Sequence, residues 1–406
     1  MDTRKPLAGI RVIELANYVA GPTAGRLLTD WGAEVIRVES FTGDVWRFYG
    51  VNVSCPASEE ENPIFDLYNA NKKDILLNTK TPEGKEILFK LLDTADVFLT
   101  NNRLKALVKA GIDYDSLKDR YPKLVYAMIT GYGQLGPDAA LPGYDGVAFF
   151  SRSGLLADMA EPSGYPANPP GCVGDCATGT ALFGAICAAL LGRERTGKGD
   201  MVEVSLFGNA AWLCGTVAAI TQERYGEVYP KVREIMHPVY TFYRCSDGEW
   251  IQLAMMEFER YFRPMCQVLE VPELADDPRF ANTALAMDNR AELIKALEAA
   301  FARFDSVEIS KRLRSVDVVF DRLRHYKELT GDEQAIANKY VRPVTFDSGE
   351  TAMMPMTPIR SYNIGDIPYS RGPLMGEHTD EIMKDIGYSE EEITHLKEAG
   401  AIRQHA

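Results

Sequence analysis

Ile10-Arg11-Val12-Ile13-Glu14-Leu15, a helix-length stretch from about Pro22 to Trp31, and Ala33-Glu34-Val35-Ile36-Arg37-Val38-Glu39 together decide the fold class. Each flank is a short apolar run of strand-forming residues, and the segment between them has room for about three helical turns, so the trio reads as a right-handed βαβ unit. The pattern repeats downstream. Thr81 stands as an N-cap before Pro82, then Ile87, Leu88, Leu91 and Leu92 share one helical face, and Val97-Phe98-Leu99-Thr100 follows as a strand. A helix from about Leu104 to Ala110 stops at Gly111; Leu124 to Ile129 and Met201 to Leu206 are further strands. This alternation predicts an α/β fold, with a parallel-sheet, Rossmann-like large domain over residues 1–223. Composition shifts after about Arg224. Short strand runs (Gly248 to Met255) and amphipathic helices such as Arg290 to Phe304 predict a smaller α+β domain over 224–335. The proline-rich segment 336–406, with a closing helix at Ser389 to Glu398, is expected to return to the large domain.

With 46% hydrophobic and 25% charged residues, the 406-residue chain has an ordinary globular composition. Its net charge of −14 argues against nucleic acid or an anionic membrane as the main partner. Behind Met1-Asp2-Thr3-Arg4-Lys5-Pro6 there is no apolar signal region. The run after Asp175 comes nearest to a membrane span, but its Gly, Thr and Ala content reads as a buried core helix. Seven cysteines, scattered and without a C-x-x-C pair, signal neither a zinc site nor a disulfide framework, and reduced thiols in a cytoplasmic protein are expected.

Asp175 is the residue that carries chemistry. It lies in Pro169-Pro170-Gly171-Cys172-Val173-Gly174-Asp175-Cys176-Ala177-Thr178-Gly179, at the mouth of that long helix. An aspartate there can be a helix cap. It can also be a nucleophile, kept ionised by the helix dipole and open to a close-fitting substrate through its glycine neighbours. Familiar phosphate motifs are missing: Ala20-Gly21-Pro22-Thr23-Ala24-Gly25 is not G-x-G-x-x-G, and neither a P-loop nor a G-x-S-x-G elbow occurs. Basic and amide residues do gather near strand ends, at Asn71-Lys72-Lys73, Lys80, Asn101-Asn102-Arg103, Lys105 and Lys109. They suit a polyphosphate, and equally a solvated helix face.

The chain resembles the family III CoA-transferases almost end to end. The likeness rests on Pro6-Leu7-Ala8-Gly9-Ile10-Arg11-Val12-Ile13-Glu14-Leu15, Ala20-Gly21-Pro22, Asp30-Trp31-Gly32-Ala33-Glu34-Val35-Ile36-Arg37-Val38-Glu39, Lys80-Thr81-Pro82-Glu83-Gly84-Lys85, Gly131-Tyr132-Gly133-Gln134-Leu135-Gly136-Pro137 and Gly197-Lys198-Gly199-Asp200. The resemblance implies Asp175 as the catalytic aspartate. It implies CoA contacts at Tyr18, Val19, Ala20, Leu77, Lys80, Asn101, Arg103, Ala106 and Lys109, and active-site lining by Tyr144 and Asp145. It also implies an interlocked homodimer acting on an acyl-CoA and a free carboxylic acid, with no metal and no cofactor other than the CoA substrate. Asp66-Leu67-Tyr68-Asn69-Ala70-Asn71-Lys72-Lys73, Leu99-Thr100-Asn101 and Ala148-Phe149-Phe150 are most similar to the branch that activates (R)-2-hydroxy acids in amino-acid fermentation, beside a 2-hydroxyacyl-CoA dehydratase.

Two departures stand out. Met255-Met256-Glu257-Phe258-Glu259 replaces a glycine run that covers the nucleophile in some members, and Ser40 stands where some relatives have Arg. The rival readings are an α-methylacyl-CoA racemase, which would want a His where Tyr144 stands, and a non-catalytic binder with Asp175 as a cap. Phe149, Phe150, Met255, Met256, Phe258, Trp46 and Phe48 are candidates for an apolar acyl pocket, or simply for core.

Overall fold

The computed structural model describes residues 5–162 and 164–405. Two compact units divide the chain: Met1–Leu156, Asn168–Gln222 and Glu333–Ala406 form the first, and Ala157–Ala167 with Glu223–Asp332 the second. Ala157–Ala167, which the sequence reading keeps inside the large domain, groups with the second unit. That excursion is rich in Pro and Gly and carries no period that would flag it.

In the first unit the strands are β1 (Arg11–Leu15), β2 (Glu34–Glu39), β3 (Lys73–Leu77), β4 (Val97–Thr100), β5 (Val125–Thr130) and β6 (Met201–Ser205). They lie in the order β3-β2-β1-β4-β5-β6, all parallel, and the short Ile402–Arg403 strand adds antiparallel to β3 at the edge. Register pairs Val12 with Val35 and Ile13 with Ile36 and Phe98. Because successive strand residues face opposite ways, this register sorts the core into two layers. Ile13, Ile36, Ile75, Phe98 and Tyr126 pack with Ile87, Leu88, Leu91 and Leu92 of α3 (Pro82–Asp93). Val12, Val35, Val97 and Val125 pack with Ala24 and Leu28 of α1 (Ala20–Asp30) and with the long helix carrying Asp175.

Helix caps follow the sequence signals closely. The Thr81 side chain accepts the Gly84 N–H at 3.0 Å, and Gly111 ends α4 (Leu104–Ala110) at a φ of +70°. Helix α2 (Pro63–Asn69) carries the same kind of signal, with the Asn62 side chain accepting the Phe65 N–H at 3.2 Å ahead of Pro63, whereas strand β3 carries none so clear. The helix α5 spans Val173–Thr196. Among the described residues it is the one helix long and apolar enough by composition to cross a membrane, although only 39% of its apolar window is buried. Leu182, Ile186, Ala189 and Leu190 form its core face, whereas Thr180, Gly184, Ala188 and Leu191 are exposed. The buried-helix expectation therefore holds for one face only.

The second unit has a three-stranded antiparallel sheet, β7 (Phe242–Arg244), β8 (Trp250–Leu253) and β9 (Phe320–Arg322), with β8 central. Its own core joins Tyr243, Ile251 and Leu253 to Phe258, Phe262, Leu297 and Phe301 from helices Phe258–Val268 and Arg290–Phe301. It is an α+β unit.

Candidate active site

The neighbours of β1 run on in opposite directions, β2 and β3 to one side and β4 to β6 to the other. In open α/β sheets the ligand crevice lies outside the carboxyl ends of strands at such a reversal, which here falls between β1 and β4. Asn101, just past β4, accepts the Asn17 N–H at 3.0 Å and donates to the Asn17 carbonyl at 2.7 Å. The next residue, Tyr18, adopts a left-handed backbone with φ +64°. For a residue with a Cβ that conformation costs on the order of 1–2 kcal/mol. Both oxygens of the Asp44 carboxylate accept the Tyr18 N–H at 3.1 Å and hold it there.

Asp44 belongs to a buried charge network beneath α1. Arg37 on β2 reaches Glu14 at 3.3 Å, Glu39 at 3.0 Å and Asp44 at 3.0 Å. Arg47 pairs with Glu39 at 2.7 Å. Lys72 donates to Glu14 at 2.8 Å and to the Pro22 carbonyl at 2.8 Å. Against the cost of burial, Arg37 and Arg47 hold Glu39 well below the usual carboxylate range. Burial pulls the Lys72 ammonium down to about 7 despite Glu14, and burial with the Glu39 carboxylate pushes Asp74 well up. Gly25 belongs to the same design: a Cβ there would lie 1.8 Å from Glu14 Oε2, so only glycine lets α1 rest on the ion pair.

The approach to α5 is built differently. Its N-cap is Cys172, at φ +71° and without a side-chain cap bond, so Asp175 sits within the first turn. The cap role the sequence allowed is thus not the one observed. Tyr144 and Asp145 open a short π-helical segment, Asp145–Ser151. The Asp145 carboxylate lies against α5 so closely that a Cβ on Gly174 would stand 2.2 Å from its Oδ1 and 2.3 Å from the Phe149 ring. That Oδ1 is buried without a hydrogen-bond partner. Burial, and then the Asp145 charge, lift Asp175 to about 7; burial likewise raises Asp145. Burial and the neighbouring carboxylate thus act on Asp175 against the helix dipole, a contribution of about 0.3–1 kcal/mol.

Around this turn, Tyr18, Val19, Trp46, Phe65 and Tyr68 form one apolar cluster with Cys172 and Cys176. The Tyr18 and Tyr144 rings meet edge to face at 5.6 Å. Of the candidate acyl-pocket residues, Trp46 joins this cluster, while Phe149 and Phe150 are core against Leu206. Met255 and Phe258 are core of the second unit, and Phe48 and Met256 are exposed. The sequence reading passed over Tyr68 as an individual residue and weighed Cys172 and Cys176 only as metal ligands; their common feature is one side of the α5 approach, which only the fold reveals.

The basic group divides. Lys72 is consumed inside the network, Lys73 pairs with Glu34 and Glu381 at 2.8 and 2.7 Å, and Asn71 bonds to Asp30, the Pro368 carbonyl and Ser370. These three are unavailable to a phosphate, and the reason is burial and prior pairing. Lys80, Arg103, Lys105, Ala106 and Lys109 are exposed, near the ends of β3 and β4. Leu77, Val19 and Ala20 are buried at the end of β3 and the start of α1.

The sequence profile of CoA-transferase family III matches residues 7–379. The chain belongs to this family. It is 40% identical over 398 residues to the (R)-2-hydroxy-4-methylpentanoate CoA-transferase of Clostridioides difficile, covering 98% of this chain and 99% of that one. It is 38% identical over 393 residues to the cinnamoyl-CoA:phenyllactate CoA-transferase of Clostridium sporogenes, covering 96% and 95%. Among solved structures it is similar to Rv3272 from M. tuberculosis, at a TM-score of 0.81 and 30% identity over 92% of this chain and 98% of that one. A CAIB/BAIF family protein from Brucella suis matches at 0.79 and 31%, over 94% and 99%. The protein is thus a CoA-transferase of the α/β architecture that the strand pattern predicts, acting on an acyl-CoA and a carboxylic acid.

Proposed function

We propose that this family III CoA-transferase moves CoA from an acyl- or 2-enoyl-CoA to an (R)-2-hydroxy acid. The observation that carries this reading is the near-full-length identity, 40% and 38%, to two transferases named for such acids. Asp175 is the nucleophile. Its carboxylate attacks the donor thioester carbonyl and expels CoA thiolate, leaving a mixed anhydride. The thiolate then attacks the Asp175 carbonyl of that anhydride, releasing the donor acid and forming an aspartyl-CoA thioester. The acceptor carboxylate attacks this thioester, and the returning thiolate takes the acceptor acyl group, regenerating Asp175. Splitting the exchange in this way avoids a direct carboxylate-for-thiolate displacement between two bound substrates. Desolvation supports the role, because a carboxylate with a pKa near 7 is more basic than one in water and is still half ionised at neutral pH.

Tyr18, Val19, Ala20, Leu77, Asn101 and Ala106 line the CoA site in this proposal, with Lys80, Arg103 and Lys109 facing the phosphates. Asn101 acts through its clamp on Asn17. Tyr144 and Asp145 line the acyl side. The working form is an interlocked homodimer in the cytoplasm, serving amino-acid fermentation beside a 2-hydroxyacyl-CoA dehydratase; free thiols at all seven cysteines suit a reducing compartment.

CoA exchange from cinnamoyl-CoA to a panel of (R)-2-hydroxy acids tests the proposal. Transfer by the wild type that is lost in Asp175→Ala, with an acyl adduct at Asp175 trapped by hydroxylamine and located by mass spectrometry, is the expected result. Full activity in the variant, or exchange confined to the α-carbon of the acyl-CoA, would overturn it.

A further inference from the structure

Tyr18 and Tyr144 approach the α5 N-terminus from two sides. Tyr18 packs in the cluster that holds Cys172 and Cys176, and Tyr144 immediately precedes the carboxylate lying on Gly174. Their hydroxyl oxygens are 3.5 Å apart. That is beyond the 2.5–3.0 Å of a good O–H···O bond, and it leaves both oxygens able to reach a third one placed between them at about 2.7–2.8 Å. Neither hydroxyl has another hydrogen-bond partner among the described residues. Tyr18 is half-buried and Tyr144 is 55% exposed, so the pair opens outward from the buried turn. The left-handed backbone of Tyr18, fixed by Asp44, is what aims its ring there.

We propose that the Tyr18–Tyr144 phenol pair reads the 2-hydroxyl of the acceptor acid, one phenol donating to it and the other accepting from it. The inference rests on the function proposed above and adds its specificity element. A phenol both donates and accepts, as an alcohol does, whereas a carboxylate only accepts. The contact with Tyr144, together with burial, raises Tyr18 to about 12, so its proton is in place at neutral pH.

The experiment compares kcat/KM for (R)-2-hydroxy-4-methylpentanoate and for 4-methylpentanoate, with cinnamoyl-CoA as donor, in the wild type, Tyr18→Phe and Tyr144→Phe. Phenylalanine keeps the edge-to-face packing, and circular dichroism confirms the fold. Each variant is expected to reduce the hydroxy-to-deoxy ratio about tenfold, the size of one neutral hydrogen bond. A wild-type preference that survives unchanged in both variants, or equal losses on the two acids, overturns the inference while leaving the transferase reading intact. Failure of the wild type to charge either acid overturns that reading and this inference with it.

Discussion

The approaches to α1 and α5 handle buried charge in opposite ways. Beneath α1, carboxylates of Glu14, Glu39 and Asp44 are each within 3.3 Å of Arg37, Arg47 or Lys72. At the start of α5, the Asp145 charge acts on Asp175, and among the described residues no cation acts on either. A paired network fixes geometry and shields its members from reaction, while a buried carboxyl without a counter-charge keeps a raised pKa. Strongly perturbed groups of the second kind mark functional sites more often than structural ones. The two regions are joined through Asp44, which ends the paired network and holds the backbone of Tyr18 beside the unpaired one.

Removing the unpaired carboxylate has the largest expected effect on activity. Asp175→Asn should lower kcat by at least ~10⁴-fold, as loss of a covalent nucleophile does. Its effect on stability should have the opposite sign. Because the folded-state pKa, about 7, lies above the unfolded value of 3.8, the folded chain binds this proton more tightly. The carboxyl therefore costs nothing below pH 3.8, costs progressively more up to pH 7, and stays costly above. At full value the shift amounts to on the order of 4 kcal/mol, and partial exposure reduces that to about 2. Urea midpoints should show the variant more stable than wild type at pH 8 and equal to it near pH 4.

Breaking the paired network should act on folding first. Arg37→Leu leaves Glu14, Glu39 and Asp44 without their shared partner, and is expected to destabilise by about 3–5 kcal/mol. Chemical denaturation would measure it. Lysine at the same position should restore only part of the loss, since it lacks the guanidinium fork that serves several carboxylates together. An unchanged midpoint would mean that the buried ions are bystanders.

The sequence made the scaffold readable where a single period dominates. The strands at Arg11, Glu34, Val97 and Val125 stand out because both faces are buried and their central residues are mostly apolar, while Met201–Ser205, at the sheet edge and only partly buried, reads from its valines. Strand β3 was hidden because Lys73 and Asp74 open it, and their reason for being there is ionic: Asp74 is part of the network and Lys73 bridges Glu34 and Glu381. Asp175 stands out in the sequence through its glycine setting and the family likeness. For Lys72 the sequence leaves a phosphate contact and a solvated face equally open, because a basic residue near a strand end carries no sign of burial; only the Glu14 contact, far away in sequence, reveals its role. The pairing of Tyr18 with Tyr144 was invisible for the same reason, being a contact across 126 positions.

Asp145 offers a finer test of the contrast. Its charge is the second cause, after burial, of the raised Asp175 pKa. Asp145→Asn should therefore shift the acidic limb of the kcat/KM profile to lower pH by up to about one unit without bringing it to the value of a free carboxyl. If the limb stays put, Asp145 is not part of the electrostatic setting, and burial alone raises the nucleophile.

The smallest expected effects separate exposed from consumed lysines. Lys80, Arg103 and Lys109 have no ion-pair partner among the described residues and lie on the surface, where a phosphate contact is screened by solvent. Replacing any of them by Gln should raise the KM for the CoA thioester about two- to fivefold, in keeping with roughly 0.5–1 kcal/mol for an exposed ionic contact, and leave the urea midpoint in place. The rise should shrink as ionic strength goes from 0.05 to 0.5 M, because the Debye length falls well below about 10 Å over that range. Lys72→Gln should behave the other way, lowering the midpoint with no salt-dependent change in KM, since its charge faces Glu14 inside the fold. A salt-sensitive KM effect at Lys72, or none at the three surface residues, would show that the division between buried scaffold and exposed site has been drawn in the wrong place.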